Sequence, residues 1–91
     1  MEFDWDSGNI LKSLMKHGIS KEESEQIFSN PYLMLIDEKR SMTEVRFYVI
    51  GETDEGKILF VVFTTRENKI RVISARNADK KERNRYEAQK A

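Results

Sequence analysis

Apolar and polar positions along the chain fall into the order helix-helix-strand-strand-strand-strand-helix, with no internal repeat. Ile10, Leu11, Leu14 and Met15 recur at i, i+1, i+4 and i+5, the single stripe of an amphipathic helix. Asp6 or Ser7 can cap its start, and Gly18 supplies a left-handed stop. Ser20-Lys21-Glu22-Glu23 reads as a capping box opening a short second helix through Ile27 and Phe28, which Ser29-Asn30-Pro31 ends. Tyr32 to Ile36 is a first strand, and Asp37 to Glu44 a polar loop. Arg46 to Gly51 is a second strand, Thr53-Asp54-Glu55-Gly56 a turn, and Ile58 to Thr64 a third strand. Arg66-Glu67-Asn68 turns the chain into a fourth strand over 69–76. Asp79-Lys80-Lys81-Glu82 resembles another capping box, with Asp79 as the cap of a terminal helix.

Ile58-Leu59-Phe60-Val61-Val62-Phe63 is apolar at both alternating positions, so the third strand is central and covered on both faces. The two N-terminal helices can cover one face, leaving the other to the last helix or to a partner. That last helix offers only Ala78, Tyr86 and Ala88, which predicts an element that is mobile or fixed by another molecule. The expected architecture is α+β: a small, antiparallel-dominated four-stranded sheet with two N-terminal helices and one C-terminal helix. The 91 residues suit one domain with a modest core.

Composition narrows the function classes. Hydrophobic residues at 38% and charged residues at 35% describe a soluble chain with a heavily charged surface. No apolar run approaches the ~20 residues of a membrane span, and Met1-Glu2-Phe3-Asp4 is unlike a secretory leader. The absence of Cys removes disulfides and thiolate chemistry, which suits the cytoplasm, and leaves a lone His as a poor basis for a zinc cage. Asp4, Asp6 and His17 are the one combination worth testing for a metal, and no spacing signature supports it, so neither metal nor cofactor is expected. The zero net charge conceals polarity: residues 69–91 carry eight Lys/Arg against three acids, net +5, and the rest of the chain −5. A cationic end attracts polyanions, unless the two halves neutralise each other in the fold.

The candidate chemistry lies in arginines on strands. Arg71 and Arg76 stand beside Val72 and Ile73, where a guanidinium needs an anion or a carboxylate. Their odd separation puts them on opposite faces unless Ser74-Ala75 bulges. Arg46 shares its face with Tyr48 and Ile50. Ordinary salt bridges to Glu44, Glu52, Glu67 or Glu82 would explain any one of these arginines; three in so small a domain point toward an anion site. Lys16-His17 closes the first helix, where basic residues also simply suit the helix dipole. Should the two groups meet, His17 would move a proton at a ribose hydroxyl while Lys16, Arg46 and Arg76 stabilise a phosphorane. On the last helix, Glu82 closes its capping box, Tyr86 either packs or stacks on a base, and Arg83 and Arg85 can clamp a phosphate backbone. Trp5, beside Phe3, reads as a core anchor.

Phe3-Asp4-Trp5-Asp6, Lys16-His17-Gly18-Ile19-Ser20, Phe28 with Asn30-Pro31, Arg46 with Gly51, Arg71-Val72-Ile73-Ser74-Ala75-Arg76, and Glu82-Arg83 with Tyr86 follow in an order and spacing that resembles BrnT-type toxins. The resemblance covers almost the whole chain. It implies a compact fold similar to RelE-type toxins and metal-independent cleavage of RNA that stops translation. It also implies neutralisation by a cognate ribbon-helix-helix antitoxin, through which alone DNA would be contacted. Carried across by that likeness are Lys16, His17, Arg46, Arg71, Arg76, Glu82 and Tyr86. Many relatives carry a lysine where Asn9 stands, and Lys12 supplies a charge almost one turn later. The alternative from another class is a non-catalytic RNA- or protein-binding module on the same fold.

Overall fold

In the computed structural model, residues 2–38 and 44–90 are described; most of the predicted polar loop lies outside them. The elements are α1 (Ser7–His17), α2 (Lys21–Gln26) continued by a 3-10 turn (Ile27–Ser29), β1 (Tyr32–Ile36), β2 (Phe47–Glu52), β3 (Ile58–Arg66), β4 (Lys69–Asn77) and α3 (Lys80–Lys90). The four strands form one antiparallel sheet in the order β1-β2-β3-β4. Glu2 to Asp4 adds a short parallel pairing to the outer edge of β4, through Asp4 N–H to the Ile70 carbonyl (2.7 Å) and Ile70 N–H to the Glu2 carbonyl (2.9 Å).

The local signals act as their chemistry demands. Ser20 and Glu23 form the reciprocal capping box of α2. Asp79 and Glu82 do the same for α3, each side chain accepting the other's backbone N–H at 2.8–2.9 Å. At α1 the cap is Asp6, and Asn9 completes an equivalent box: Asp6 accepts the Asn9 N–H at 3.0 Å and Asn9 the Asp6 N–H at 2.7 Å. Gly18 has φ 71°, the left-handed stop. Gly51 is required by crowding instead, since a Cβ there would lie 2.9 Å from that of Ile27.

The two faces of the sheet hold separate cores. On one, Val49, Leu59, Val61, Phe63, Ile70, Val72 and Ala75 pack with Ile19, Ile27 and Phe28, and with the flanking Phe3, Trp5 and Phe47. Trp5 is an anchor as expected, its indole N–H donating to Glu25 at 2.7 Å. On the other, Ile50, Ala78 and Tyr86 pack with Leu33, Ile58 and Phe60. The central strand is thus covered on both sides.

Two elements differ from the sequence-based expectation. The polar α3 is held by the chain itself: buried Tyr86 donates to the Pro31 carbonyl at 3.0 Å, Lys90 pairs with Glu52 at 3.2 Å, and Glu82 pairs with Arg76. One deep aromatic and three polar ties replace a greasy stripe. Conversely, the apolar stripe of α1 is largely outside the core, with Leu11 48%, Leu14 46% and Met15 81% exposed. The helix lies outside the edge strand, and its inward position is taken by Asn9, whose amide donates to the Asp4 and Val72 carbonyls at 3.2 Å. At the opposite edge, β1 also leaves Tyr32, Met34 and Ile36 exposed. Among the described residues no helix is long and apolar enough to cross a membrane.

Candidate functional site

β4 does bulge, one residue before the predicted Ser74-Ala75. Val62 pairs with Ser74 but Phe63 pairs with Val72, so Ile73 is the extra residue. Arg71 then pairs with Thr64 and Arg76 with Phe60, an even separation on β3. Both guanidiniums therefore belong to the face of Tyr48, Ile50 and Phe60, away from the larger core. Arg46 lies one residue before β2, its carbonyl accepting from the Asp37 N–H at 2.8 Å, and alternation assigns it to this same face.

Each β4 arginine has an internal acid. Arg76 grips Glu82 through two parallel bonds of 2.8 Å, and the Glu82 carboxylate raises the guanidinium's pKa. The Arg76 guanidinium also lies 4.3 Å from the centre of the Phe60 ring. Arg71 meets Asp6 at 2.7 Å and Asp4 at 3.5 Å, a different pairing from the Glu44, Glu52, Glu67 or Glu82 anticipated for strand arginines. The Asp6 carboxyl is held below its ordinary range by the Asn9 backbone N–H first and then by Arg71. Arg71 with Asp4 and Asp6, Lys69 with Glu2 and Lys90 with Glu52 each join the cationic segment 69–91 to the acidic remainder and offset part of the charge polarity seen in the sequence; Arg76–Glu82 lies within the segment. Among the described residues Lys80, Lys81, Arg83 and Arg85 of α3 have no ion pair, although Arg83 donates to the Ala78 carbonyl at 2.8 Å.

His17 and Lys16 end α1, His17 half-buried and Lys16 exposed, with no side-chain hydrogen bond to a described residue. Asp6 meets Arg71, Asn9 meets Val72, and Lys12 borders a cavity with Ile73, so α1 runs the same way as β4. Ile19, two residues beyond His17, enters the larger core, on the sheet face opposite Arg76. No described contact joins His17 to an arginine.

Tyr86 is 3% exposed and its ring is part of the smaller core, so it fixes α3 and presents no open face to a base; burial raises the pKa of its phenol. The aromatic surface lies elsewhere. Tyr48 stacks on Phe60 with ring centres 5.4 Å apart and 28° between planes, and both rings remain half-buried. With Ile50 they floor a cleft of about 270 Å³ whose rim is Asp79, Lys81, Glu82 and Arg85. The sequence reading missed Tyr48 and Phe60 as site residues, because the diagonal that joins them appears only once the β2–β3 register is known.

The fold, a four-stranded antiparallel sheet with helices on both sides, is that of a known toxin structure. The crystal structure of the Brucella abortus ribonuclease toxin, BrnT, matches this chain with a TM-score of 0.62 and 24% identity, covering 88% of this chain and 99% of that one. The family described as "Ribonuclease toxin, BrnT, of type II toxin-antitoxin system" matches residues 5–82, and the chain belongs to it. No curated protein matches the chain.

Proposed function

We propose that this chain is the toxin half of its pair, an endoribonuclease that cuts RNA without a metal ion and thereby stops translation in the cytoplasm. One observation carries the reading beyond the family: the bulge at Ile73 gives Arg71 and Arg76 the same sheet face as Arg46. RNA brings its own nucleophile. The 2′-hydroxyl attacks the adjacent phosphorus, the bond to the 5′-oxygen breaks, and a cyclic phosphate and a 5′-hydroxyl result. The protein has only to move protons and meet the charge that builds on phosphorus. Arg46 and Arg76, with Lys16 from the end of α1, stabilise the phosphorane. His17 carries the proton. Arg71 holds the N-terminal segment on β4, Glu82 orients Arg76, and Arg83 and Arg85 hold the RNA backbone. The partner is a ribbon-helix-helix antitoxin, and DNA is reached only through it.

The test uses the purified chain freed of antitoxin, incubated with messenger RNA in EDTA. Cleavage is expected, with His17→Ala and Arg76→Lys each slower by ~10² or more, the scale of a lost proton carrier or charge stabiliser. Undiminished cleavage in both variants would overturn the site; no cleavage by the wild type would overturn the activity. One observation favours the second reading, a non-catalytic RNA-binding module: both β4 arginines are engaged by internal acids, and among the described residues none orients His17. That module would bind RNA with a steep salt dependence and leave it intact.

A further inference from the structure

We propose that the cleft between the Tyr48–Phe60 pair and the first turns of α3 holds a single unpaired nucleobase of the RNA, stacked on Tyr48, with the adjoining phosphate on Lys81 and Arg85. The inference rests on the RNA-cleaving reading for its choice of ligand, and names the subsite that such a ligand occupies.

Three features of the cleft lead there. Its floor is aromatic and apolar: Tyr48 lies nearly parallel to Phe60, which is itself braced by the Arg76 guanidinium 4.3 Å from its ring centre. A braced and half-exposed ring is the platform on which single-stranded bases stack. The rim supplies two cations. Lys81 and Arg85 are four residues apart on one side of α3, and neither has an ion pair among the described residues. Two carboxylates share that rim, and both are engaged: Glu82 is occupied on both oxygens by Arg76 and accepts the Asp79 N–H, while Asp79 accepts the Glu82 N–H at 2.8 Å. Size is the third feature. At about 270 Å³ the cleft lies just below the ~300–1,000 Å³ typical of drug-sized sites, room for one nucleotide unit and not for a folded segment.

The floor carries few hydrogen-bonding groups, so the base is held by its π-face and not by its edge. The subsite therefore tolerates any base and positions the strand instead of reading it. It also explains why the stack is built on the sheet and not on α3: a rigid floor fixes where the next phosphodiester falls relative to Arg76.

The probe is a fluorescently labelled 2′-O-methyl hexanucleotide, which lacks the nucleophilic hydroxyl and reports binding alone. Tyr48→Leu is expected to weaken its binding about tenfold, and Tyr48→Phe to leave it unchanged, since stacking needs the ring and not the hydroxyl. Arg85→Gln is expected to lower the slope of log affinity against log salt by about 0.7, the share of one phosphate on a single strand. A hexamer abasic at every position should bind the wild type no better than the full probe binds Tyr48→Leu. Equal binding by wild type and a folded Tyr48→Leu variant, or by the abasic and full probes, overturns the cleft. If instead the cleft passes while unmodified RNA stays uncut, the nuclease reading fails and the base site stands. Displacement of the probe by an acidic peptide, with no base dependence, would assign the cleft to a protein partner and likewise sink the proposal.

Discussion

The Arg76 guanidinium and the Glu82 carboxylate face each other through two parallel 2.8 Å bonds, and the same carboxylate accepts the Asp79 N–H that opens α3. One side chain thereby couples the last strand to the last helix. Glu82→Ala removes the reciprocal half of the capping box and leaves a partly covered guanidinium unpaired, and is expected to cost about 1–2 kcal/mol, read as a lowered urea midpoint with loss of helical signal. Glu82→Gln keeps the cap acceptor and should cost less. Equal losses in both would mean that capping is not what Glu82 contributes.

Gly51 allows β2 to pass the 3-10 turn. A Cβ at this position would meet Ile27 Cβ at 2.9 Å and Tyr32 Cβ at 3.3 Å, neither of them the end of a flexible side chain. Gly51→Ala is expected to destabilise by about 1–3 kcal/mol through overpacking, despite the added β-propensity. Thermal unfolding measures it, and an unchanged midpoint would show that the turn yields freely.

The β3–β4 hairpin closes with two residues in the left-handed region, Glu67 at φ 51° and Asn68 at φ 65°, between the paired Arg66 and Lys69. Both central residues of such a turn favour Asn then Gly. The double change Glu67→Asn and Asn68→Gly is expected to raise stability by up to about 1 kcal/mol. Chemical denaturation at neutral pH checks the sign.

Acid should weaken the fold in part through Glu23. Its carboxyl is held below the ordinary 4.5, first by the Lys57 ammonium and then by the Ser20 backbone N–H. The folded state binds this proton less tightly than the unfolded chain does. The stabilisation is therefore complete above the ordinary carboxylate range and is lost as pH falls through the lower, folded value. Asp6, lowered from 3.8, acts in the same direction. Denaturation midpoints taken from pH 7 downward should fall more gently in Glu23→Gln than in the wild type. Superimposable acid limbs would exclude Glu23 as a contributor.

The edge strand β1 shows Tyr32, Met34 and Ile36 to solvent on one side, 41–56% exposed. An uncovered apolar edge favours strand-to-strand association. Met34→Lys is expected to raise the concentration at which the isolated chain stays monodisperse in light scattering, at little cost in stability.

The capping boxes, the glycine stop and the strands were legible because each rests on neighbours in sequence: Ser20 with Glu23, Asp79 with Glu82, Gly18 alone. The covering of β3 on both faces followed from its composition in the same way. What depends on distant partners was less readable. The stripe Leu11, Leu14 and Met15 has helical spacing yet lies mostly outside the core, because Asn9 takes the contact with Val72. α3 looked too polar to dock, and one tyrosine reaching the Pro31 carbonyl anchors it. At the site, the sequence named Arg71 and Arg76, and Glu82 among the acids that meet such arginines, but not Arg71's partners Asp4 and Asp6, nor the Tyr48–Phe60 pair, since those depend on how strands and the N-terminal segment come into register. Where α1 leaves His17 relative to the arginines likewise depends on how two distant elements pack, which no local pattern encodes.

The extra residue at Ile73 has a consequence for comparing homologous chains. A relative with a one-residue gap there would have a straight ladder and still aim the equivalents of Arg71 and Arg76 to one side, because four positions restore the parity that five positions need a bulge to reach. The same gap placed in β3 would invert every side chain beyond it and turn Phe60 or Phe63 inside out. In a chain of this fold the position of a gap therefore matters to this surface as well as the identity of the residues.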